Sequence, residues 1–184
     1  MTEEEDREKG EGEGNPAFPV VEREEDGALL LRGLPQGIAA VLLELPDILK
    51  QGEEEDLRSV LHSRVYPDEP EREEEWNKLM GGELFHLFAD RARILGRDLE
   101  GMTIDSSPRR YRVRIPGKHL TAWISSLAAA RLILAERFEV DEEAMRKERD
   151  FEEPGIQDLV IWRIDVLALI QEMLLLSGEA EGGE

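Results

Sequence analysis

The sequence predicts a mainly α-helical fold, a compact helical bundle with a small β-sheet at its edge. Two observations favour helices: several segments repeat apolar residues every three or four positions, and a nearly continuous apolar run stands close to the end of the chain. A third observation favours the sheet, because β-prone runs flank an Asp-Gly pair and another short run alternates apolar and basic residues. We therefore expect an N-terminal hairpin plus one strand near residues 110–115.

The strands are predicted from turn chemistry and alternation. Residues 17–24 and 28–32 are short extended candidates, and Glu25-Asp26-Gly27 between them is typical of a hairpin turn. In the third strand Tyr111, Val113 and Ile115 occupy one face, because successive side chains of a strand point to opposite sides. This strand should therefore be half-buried.

Three helices are predicted in the first half of the chain. The first covers Pro35–Lys50, where Pro46 kinks or splits it because proline cannot donate the helical hydrogen bond. The second covers Glu53–Arg64. The third covers about Glu71–Leu99, and Gly81-Gly82 should weaken or bend it because glycine is a poor helix former.

The second half should contain three more helices. The strongest is His119–Phe138, and Asp141 should then cap a short charged helix. The last helix, Leu159–Leu176, is apolar on nearly all sides. Such a helix lies either at the centre of the core or partly in an oligomer interface.

The chain is expected to form a single domain over residues 17–176. Its 184 residues suit one domain, since domains commonly contain ~100–150 residues. Residues 1–16 and 177–184 are mostly glutamate and glycine, with little to bury. We expect both acidic tails to be disordered.

The composition limits the classes of partner and the compartment. The 43 acidic and 23 basic residues give a net charge of −20, which opposes non-specific binding to nucleic acid or anionic membranes. The absence of cysteine excludes disulfides and thiolate chemistry and fits a reducing compartment. The N-terminus lacks the pattern of a signal peptide, and Arg163 and Asp165 interrupt the best apolar span. We expect a cytoplasmic protein that does not associate with membranes.

One arginine lies on the apolar face of the 119–138 helix. A guanidinium keeps its proton, so Arg131 needs an anionic partner or an exit to water. Asp158, Asp165 and Glu172 recur every seven residues and share one face of the last helix. We predict a structural ion pair between Arg131 and Asp165 or Glu172, the alternative being that the acidic row is simply the wet side of that helix.

The densest basic cluster of this acidic chain lies in the third strand and just after it. Arg110, Arg112, Arg114 and Lys118 form a candidate surface for an anion or an acidic partner. Alternation places Arg112 and Arg114 on the solvent face, where they could equally pair with acidic neighbours of the same chain. A nucleic-acid-binding surface is a further alternative, which the global negative charge disfavours.

No residue pattern assigns a catalytic, cofactor-binding or metal-binding site. His62, His86 and His119 lie far apart and form no zinc-binding pattern. Neither Ser106-Ser107 nor Ser125-Ser126 lies in a nucleophile elbow. No cofactor is expected. The enzyme alternative is a metal- or carboxylate-dependent hydrolase that uses His86 or His119 with nearby glutamates.

Three segments in a characteristic order resemble a known family. The segments are Arg64-Val65-Tyr66-Pro67-Asp68, then Trp123 to Leu127 leading to Arg131-Leu132, then Ile170-Gln171-Glu172. Over about Val20–Leu176 the chain resembles the bacterial domain-of-unknown-function family 2017. It departs from that family at Ala128-Ala129-Ala130, where a more polar segment is expected.

The resemblance implies a cytosolic, mainly helical bacterial protein without an assigned activity. Members of the family are encoded near a Clp-protease adaptor, which implies an adaptor or regulatory role. With no catalytic pattern in the residues, the sequence favours a non-enzymatic protein-interaction or regulatory domain. It would bind a protein partner or a second copy near the last helix.

Overall fold

The computed structural model describes residues 18–52, 61, 65–105, 109–146 and 153–179. In chain order these contain strands β1 and β2, helices α1, α2 and α3, strands β3 and β4, a short 3₁₀ turn, and helices α4, α5 and α6. Their bounds are β1 Val20–Arg23, β2 Leu29–Pro35, α1 Gln36–Leu43, α2 Leu45–Gln51, α3 Pro70–Glu100, β3 Thr103–Ile104, β4 Arg110–Ile115, the turn Gly117–His119, α4 Leu120–Arg137, α5 Glu142–Arg146 and α6 Ile156–Glu179. The predicted class, mainly α with a small sheet, is confirmed.

The sheet is antiparallel, with the strand order β1-β2-β4-β3. The predicted hairpin forms, and its turn depends on Gly27, whose φ of +80° suits glycine, and on Asp26, which accepts the Ala28 N–H at 3.1 Å. β4 confirms the strand predicted near 110–115. The fourth strand, β3, was not predicted because two residues are too short to show alternation.

The first predicted helix is split in two. α1 ends at Leu43 and α2 begins at Leu45, so that Pro46 stands in the first turn of α2. A proline is tolerated there because the first N–H groups of a helix have no intrahelical acceptor. The predicted Glu53–Arg64 helix lies outside the described residues apart from Leu61, as do the tail residues 1–17 and 180–184.

α3 contains 31 residues and continues through Gly81-Gly82, where the sequence predicts a weak point. Its buried residues, Leu95 and Leu99, both lie in its last two turns. The rest of the helix is exposed or half-buried. Only the C-terminal end of α3 therefore contributes fully to the core.

The core lies between the inner face of the sheet and the helices α1, α2, α4 and α6. α4 and α6 pack along each other in opposite directions, since Leu120 lies beside Gly178 and Arg131 contacts Gln171. Fully or almost fully buried side chains fill this centre: Leu29, Leu31, Leu42, Leu49, Val113, Ile115, Trp123, Leu127, Ile133, Leu167, Ile170 and Leu174.

The last two helices begin with side-chain caps. Asp141 accepts the Ala144 N–H at 2.8 Å, as the predicted cap of α5 requires. Asp158 accepts the Gly155 N–H at 2.9 Å where α6 begins. α6 continues to Glu179, three residues beyond the predicted end at Leu176. None of the helices in the described residues is long and apolar enough to span a membrane.

Candidate functional site

A buried carboxylate joins α3 to the start of α4. The Asp98 side chain is 7% exposed and accepts the Trp123 indole N–H at 2.9 Å. The Asp98 carboxylate also lies 3.0 Å from Nδ1 of His119, within hydrogen-bond distance. The fully buried Trp123 and the cap position of His119 at α4 make this cluster a structural tie between two helices.

The histidines do not assemble a metal centre among the described residues. His119 is engaged with Asp98, His86 is exposed on α3, and His62 lies outside the described residues. Within the described ranges, no three side chains of the types His, Cys, Asp and Glu are placed to hold one ion. The hydrolase alternative stays a prediction.

A second buried carboxylate binds the irregular part of the sheet. Asp105 accepts the Gly33 N–H at 2.9 Å and lies 3.4 Å from two nitrogens of Arg32. The register shifts between Leu31 and Leu34, and Gly33 has a φ of +70° there. Burial lowers the pKa of Arg32, but the hydrogen bond and charge of Asp105 outweigh burial and leave that pKa raised. The Asp105 carboxylate thus serves as the acceptor for the Gly33 N–H at the point where the hydrogen-bond ladder between β2 and β4 is interrupted.

One member of the predicted basic surface, Arg114, forms ion pairs with acidic residues of the chain itself. Arg114 contacts Glu24 at 2.5 Å and also forms an ion pair with Asp26. The Ala28 N–H, together with Arg114, lowers the pKa of the Asp26 carboxyl. For Arg114 alone, these contacts agree with the alternative in which the strand arginines pair with acidic neighbours of the same chain.

Among the described residues, the other members of the predicted basic surface do not share a common contact. Arg110 donates to the Gly33 carbonyl oxygen at 3.0 Å, and Nε of Arg112 lies 3.4 Å from the Thr103 hydroxyl. Lys118 is exposed in the turn before α4. A role of these residues in binding an anion or an acidic partner stays a prediction.

Arg131 contacts α6 through an uncharged residue. Its Nη1 donates to Oε1 of Gln171 at 2.8 Å, whereas Glu172 is exposed. Nε of Arg131 is buried and has no hydrogen-bond partner among the described residues. The ion pair with Asp165 or Glu172 stays a prediction, and the contact observed is one residue away from Glu172.

The outer side of α6 carries an exposed apolar row that we call the α6 face: Leu159, Trp162, Leu169 and Leu176. Trp162, Leu169 and Leu176 follow at seven-residue spacing and are 36%, 46% and 64% exposed. The opposite side of the same helix supplies Ile164, Leu167 and Leu174 to the core. An apolar helix with two such sides has more apolar surface than its own domain covers.

Acidic residues and helix α1 border the α6 face. Asp158, Asp165 and Glu172 each stand four residues before Trp162, Leu169 and Leu176, so they flank the row on the helix surface. The Trp162 ring reaches to 3.6 Å from the position that a Cβ on Gly37 would occupy. Arg163 pairs with Glu44 at 3.0 Å, beside Leu43, which is itself exposed. The face therefore continues from α6 onto α1.

The family model described as Domain of unknown function (DUF2017) matches residues 7–177. The chain belongs to the DUF2017 family. The resemblance given by the order of the three sequence segments is thus confirmed. No curated protein and no solved structure matches the chain.

The sequence did not single out several polar residues on which this DUF2017 fold depends. Asp98 and Asp105 look like ordinary surface acids, because each stands beside a charged or polar residue, Arg97 or Ser106. The one available signal for Asp98 is its place on the α3 face that carries Leu95 and Leu99, since residues three and four apart share a helix face. Nothing in the sequence indicates Asp105.

Proposed function

We propose that the protein is a non-enzymatic interaction domain that binds a basic amphipathic segment of a partner protein on the α6 face. The exposed row Trp162, Leu169 and Leu176 carries this proposal. Contiguous exposed apolar surface bordered by polar residues typically marks an interaction site. Trp162 is a suitable anchor, because tryptophan is over-represented among the residues that dominate binding energy.

The charge around the face selects the kind of partner. Asp158 and Glu172 lie on one flank, in a chain whose net charge is −20. A helix with lysine or arginine beside its apolar residues would find complementary charge there. A second copy binding through the same face would bring two acidic rows together, which disfavours self-association at this surface.

An adaptor or regulatory role in the bacterial cytosol is part of the proposal. It is supported by the resemblance to a family encoded near a Clp-protease adaptor, and by a sequence without cysteine or a catalytic pattern. An interaction domain of this kind needs a stable scaffold and one complementary surface. It needs no reactive group.

Affinity capture from the native cytosol, followed by titration with the purified partner, tests the proposal. We expect the double variant Leu169→Lys/Leu176→Lys to bind at least about tenfold more weakly, which corresponds to about 1.4 kcal/mol. Its introduced charges remove apolar contact and repel a basic segment. Raising the salt concentration should also weaken wild-type binding, because exposed charge pairs are screened.

Ile104→Lys is the matched control, because Ile104 is 63% exposed and lies on β3, at the sheet edge opposite β1. It should leave binding unchanged. Circular dichroism should show both variants folded. A partner that binds the double variant as tightly as the wild type, or that presents an acidic segment, would contradict the proposal.

A further inference from the structure

α3 has an apolar face that its own domain leaves largely uncovered among the described residues. Trp76, Met80, Leu84 and Leu87 lie within one face of the helix, because they are separated by three or four residues. Leu87 is 51% exposed, and the other three are only half-buried. We call these four residues the α3 stripe.

Local contacts at the start of α3 cover only one end of the stripe. Tyr66 meets Trp76 edge to face, with ring centroids 6.4 Å apart. The Glu73 carboxylate accepts the N–H groups of Val65 and Tyr66 at 3.0 and 2.7 Å. These contacts order the segment before the helix, but in the part of the chain that the structure describes Leu87 stays exposed and Met80 and Leu84 stay only half-buried.

A helix with so few buried residues requires further packing. The stretch from Pro70 to Arg91 contains no buried residue and includes two adjacent glycines, each less favourable than alanine by about 1 kcal/mol. Isolated helices of modest length are marginal in water, and packing of an apolar face supplies most helix stability in proteins. An occupant of the α3 stripe would supply that packing.

The charge pattern along α3 identifies the occupant. Residues 70–76 contain four glutamates and one arginine, whereas residues 91–97 contain three arginines and no acid. Two α3 helices packed in opposite directions would place the acidic end of each along the basic end of the other. A parallel arrangement would place acid on acid.

We propose that two copies of this chain pair through the α3 stripe, with their α3 helices antiparallel and the two-fold axis passing between the stripes at the height of residue 82 along the helix. In this arrangement Met80 of each copy faces Leu84 of the other, and Glu73 faces Arg91. The contact is isologous and therefore closes as a dimer. The dimer is independent of the partner proposed for the α6 face, because it uses another helix.

Sedimentation velocity and light scattering on the full chain test the dimer. The wild type should be a dimer at micromolar concentration. The double variant Met80→Glu/Leu84→Glu should weaken dimerisation roughly a hundredfold or more, because it places charges at the centre of the contact. Circular dichroism should show that this variant remains folded, since both residues are only half-buried.

Lys78→Glu is the matched control. It changes the net charge by −2, as the double variant does, but residue 78 lies on the far side of the helix from the stripe. It should leave the dimer intact. A wild type that is monomeric at ~100 μM, or a double variant that dimerises as well as the wild type, would overturn the proposal.

Spin labels measure the direction of pairing. The chain has no cysteine, so Glu71→Cys supplies one labelling site at an exposed position. With the axis near residue 82, the antiparallel arrangement separates the two labels by ~33 Å, from a rise of 1.5 Å per residue. A parallel pair would place the two labels at the same height, separated only by the width of the helix pair. A distance below ~33 Å would exclude the arrangement proposed.

Discussion

At the residue scale, the most informative feature is a pair of buried carboxylates whose donors come from other elements. Asp98 binds Trp123 and His119 of the α4 region, and Asp105 binds Arg32 and the Gly33 N–H of β2. Buried charges are stable only when hydrogen bonds replace their water. Both residues therefore belong to the scaffold.

The Asp98 cluster is expected to stabilise the fold. Asp98→Ala should lower the free energy of unfolding by about 1–3 kcal/mol, because the buried Trp123 indole N–H loses its acceptor. Trp123→Phe should lower the free energy of unfolding by less in the Asp98→Ala background than in the wild type, because the indole N–H is already unpaired in that background. Urea denaturation measures both effects.

The control for this cluster is Glu100→Ala, an exposed glutamate two residues further along α3. It should change stability by less than about 0.5 kcal/mol. Equal effects of Asp98→Ala and Glu100→Ala would show that the cluster does not stabilise the fold.

The contact between Arg131 and Gln171 predicts that Gln171→Leu lowers the stability of the fold more than Arg131→Met does. Arg131→Met should change stability by no more than about 1 kcal/mol, because it removes a buried Nε without an acceptor and its partner is neutral. Gln171→Leu should be more destabilising, by about 1–3 kcal/mol, since it leaves the guanidinium without its acceptor.

Thermal and urea denaturation distinguish this prediction from the ion pair that the sequence predicts. If Arg131 were paired with a buried Asp165 or Glu172, Arg131→Met would cost about 3–5 kcal/mol. Arg146→Met, at an exposed position of α5, gives the background effect of removing a positive charge. A large loss in Arg131→Met would favour the ion pair.

At the element scale, α3 and α6 share one property: each buries part of its length or surface and leaves another apolar part exposed. α6 is divided across its width, with a core side and an outer side. α3 is divided along its length, with a buried C-terminal end and an exposed N-terminal half. These two divisions are the structural basis of the two interaction surfaces that we propose.

Two glycines in different surroundings predict opposite responses to alanine. At Gly82 an added Cβ would have no neighbour within 4 Å, so Gly82→Ala should stabilise the protein by about 1 kcal/mol through helix propensity. At Gly52 the same Cβ would lie 2.9 Å from the Ile133 and Leu61 side chains. Gly52→Ala should therefore destabilise by about 1–3 kcal/mol.

Thermal denaturation of the two alanine variants, side by side, checks this prediction. Gly82 is the suitable position on α3, because it lies on the side of the helix away from the stripe and should leave dimerisation unchanged. A loss of stability in Gly82→Ala would mean that the middle of α3 is not helical in solution.

At the scale of the whole molecule, the two apolar surfaces differ in the charges that border them, and each therefore suits a different kind of partner. The α6 face is bordered by acids and suits a basic segment. The α3 stripe has acid at one end and base at the other, which suits a second copy. Because the surfaces lie on separate helices, variants in one should leave binding at the other unaffected.

Elements with local signals could be predicted from the sequence. Helical spacing, the Asp-Gly turn and strict alternation identified the hairpin, β4, α4 and the long α3, because each of these patterns is contained within one segment of chain. Pro46 likewise marked the division between α1 and α2. The order of three short segments was sufficient to predict the family.

Which polar residues are buried, and which apolar residues stay exposed, depends on contacts between distant parts of the chain. Asp98 meets Trp123 across 25 positions, and Asp105 meets Gly33 across 72, so no local pattern can report either contact. The same holds for Leu169 and Met80, which have the spacing of core residues. Whether an apolar helix face is core or interface depends on what packs against it, and that is a property of the assembled fold.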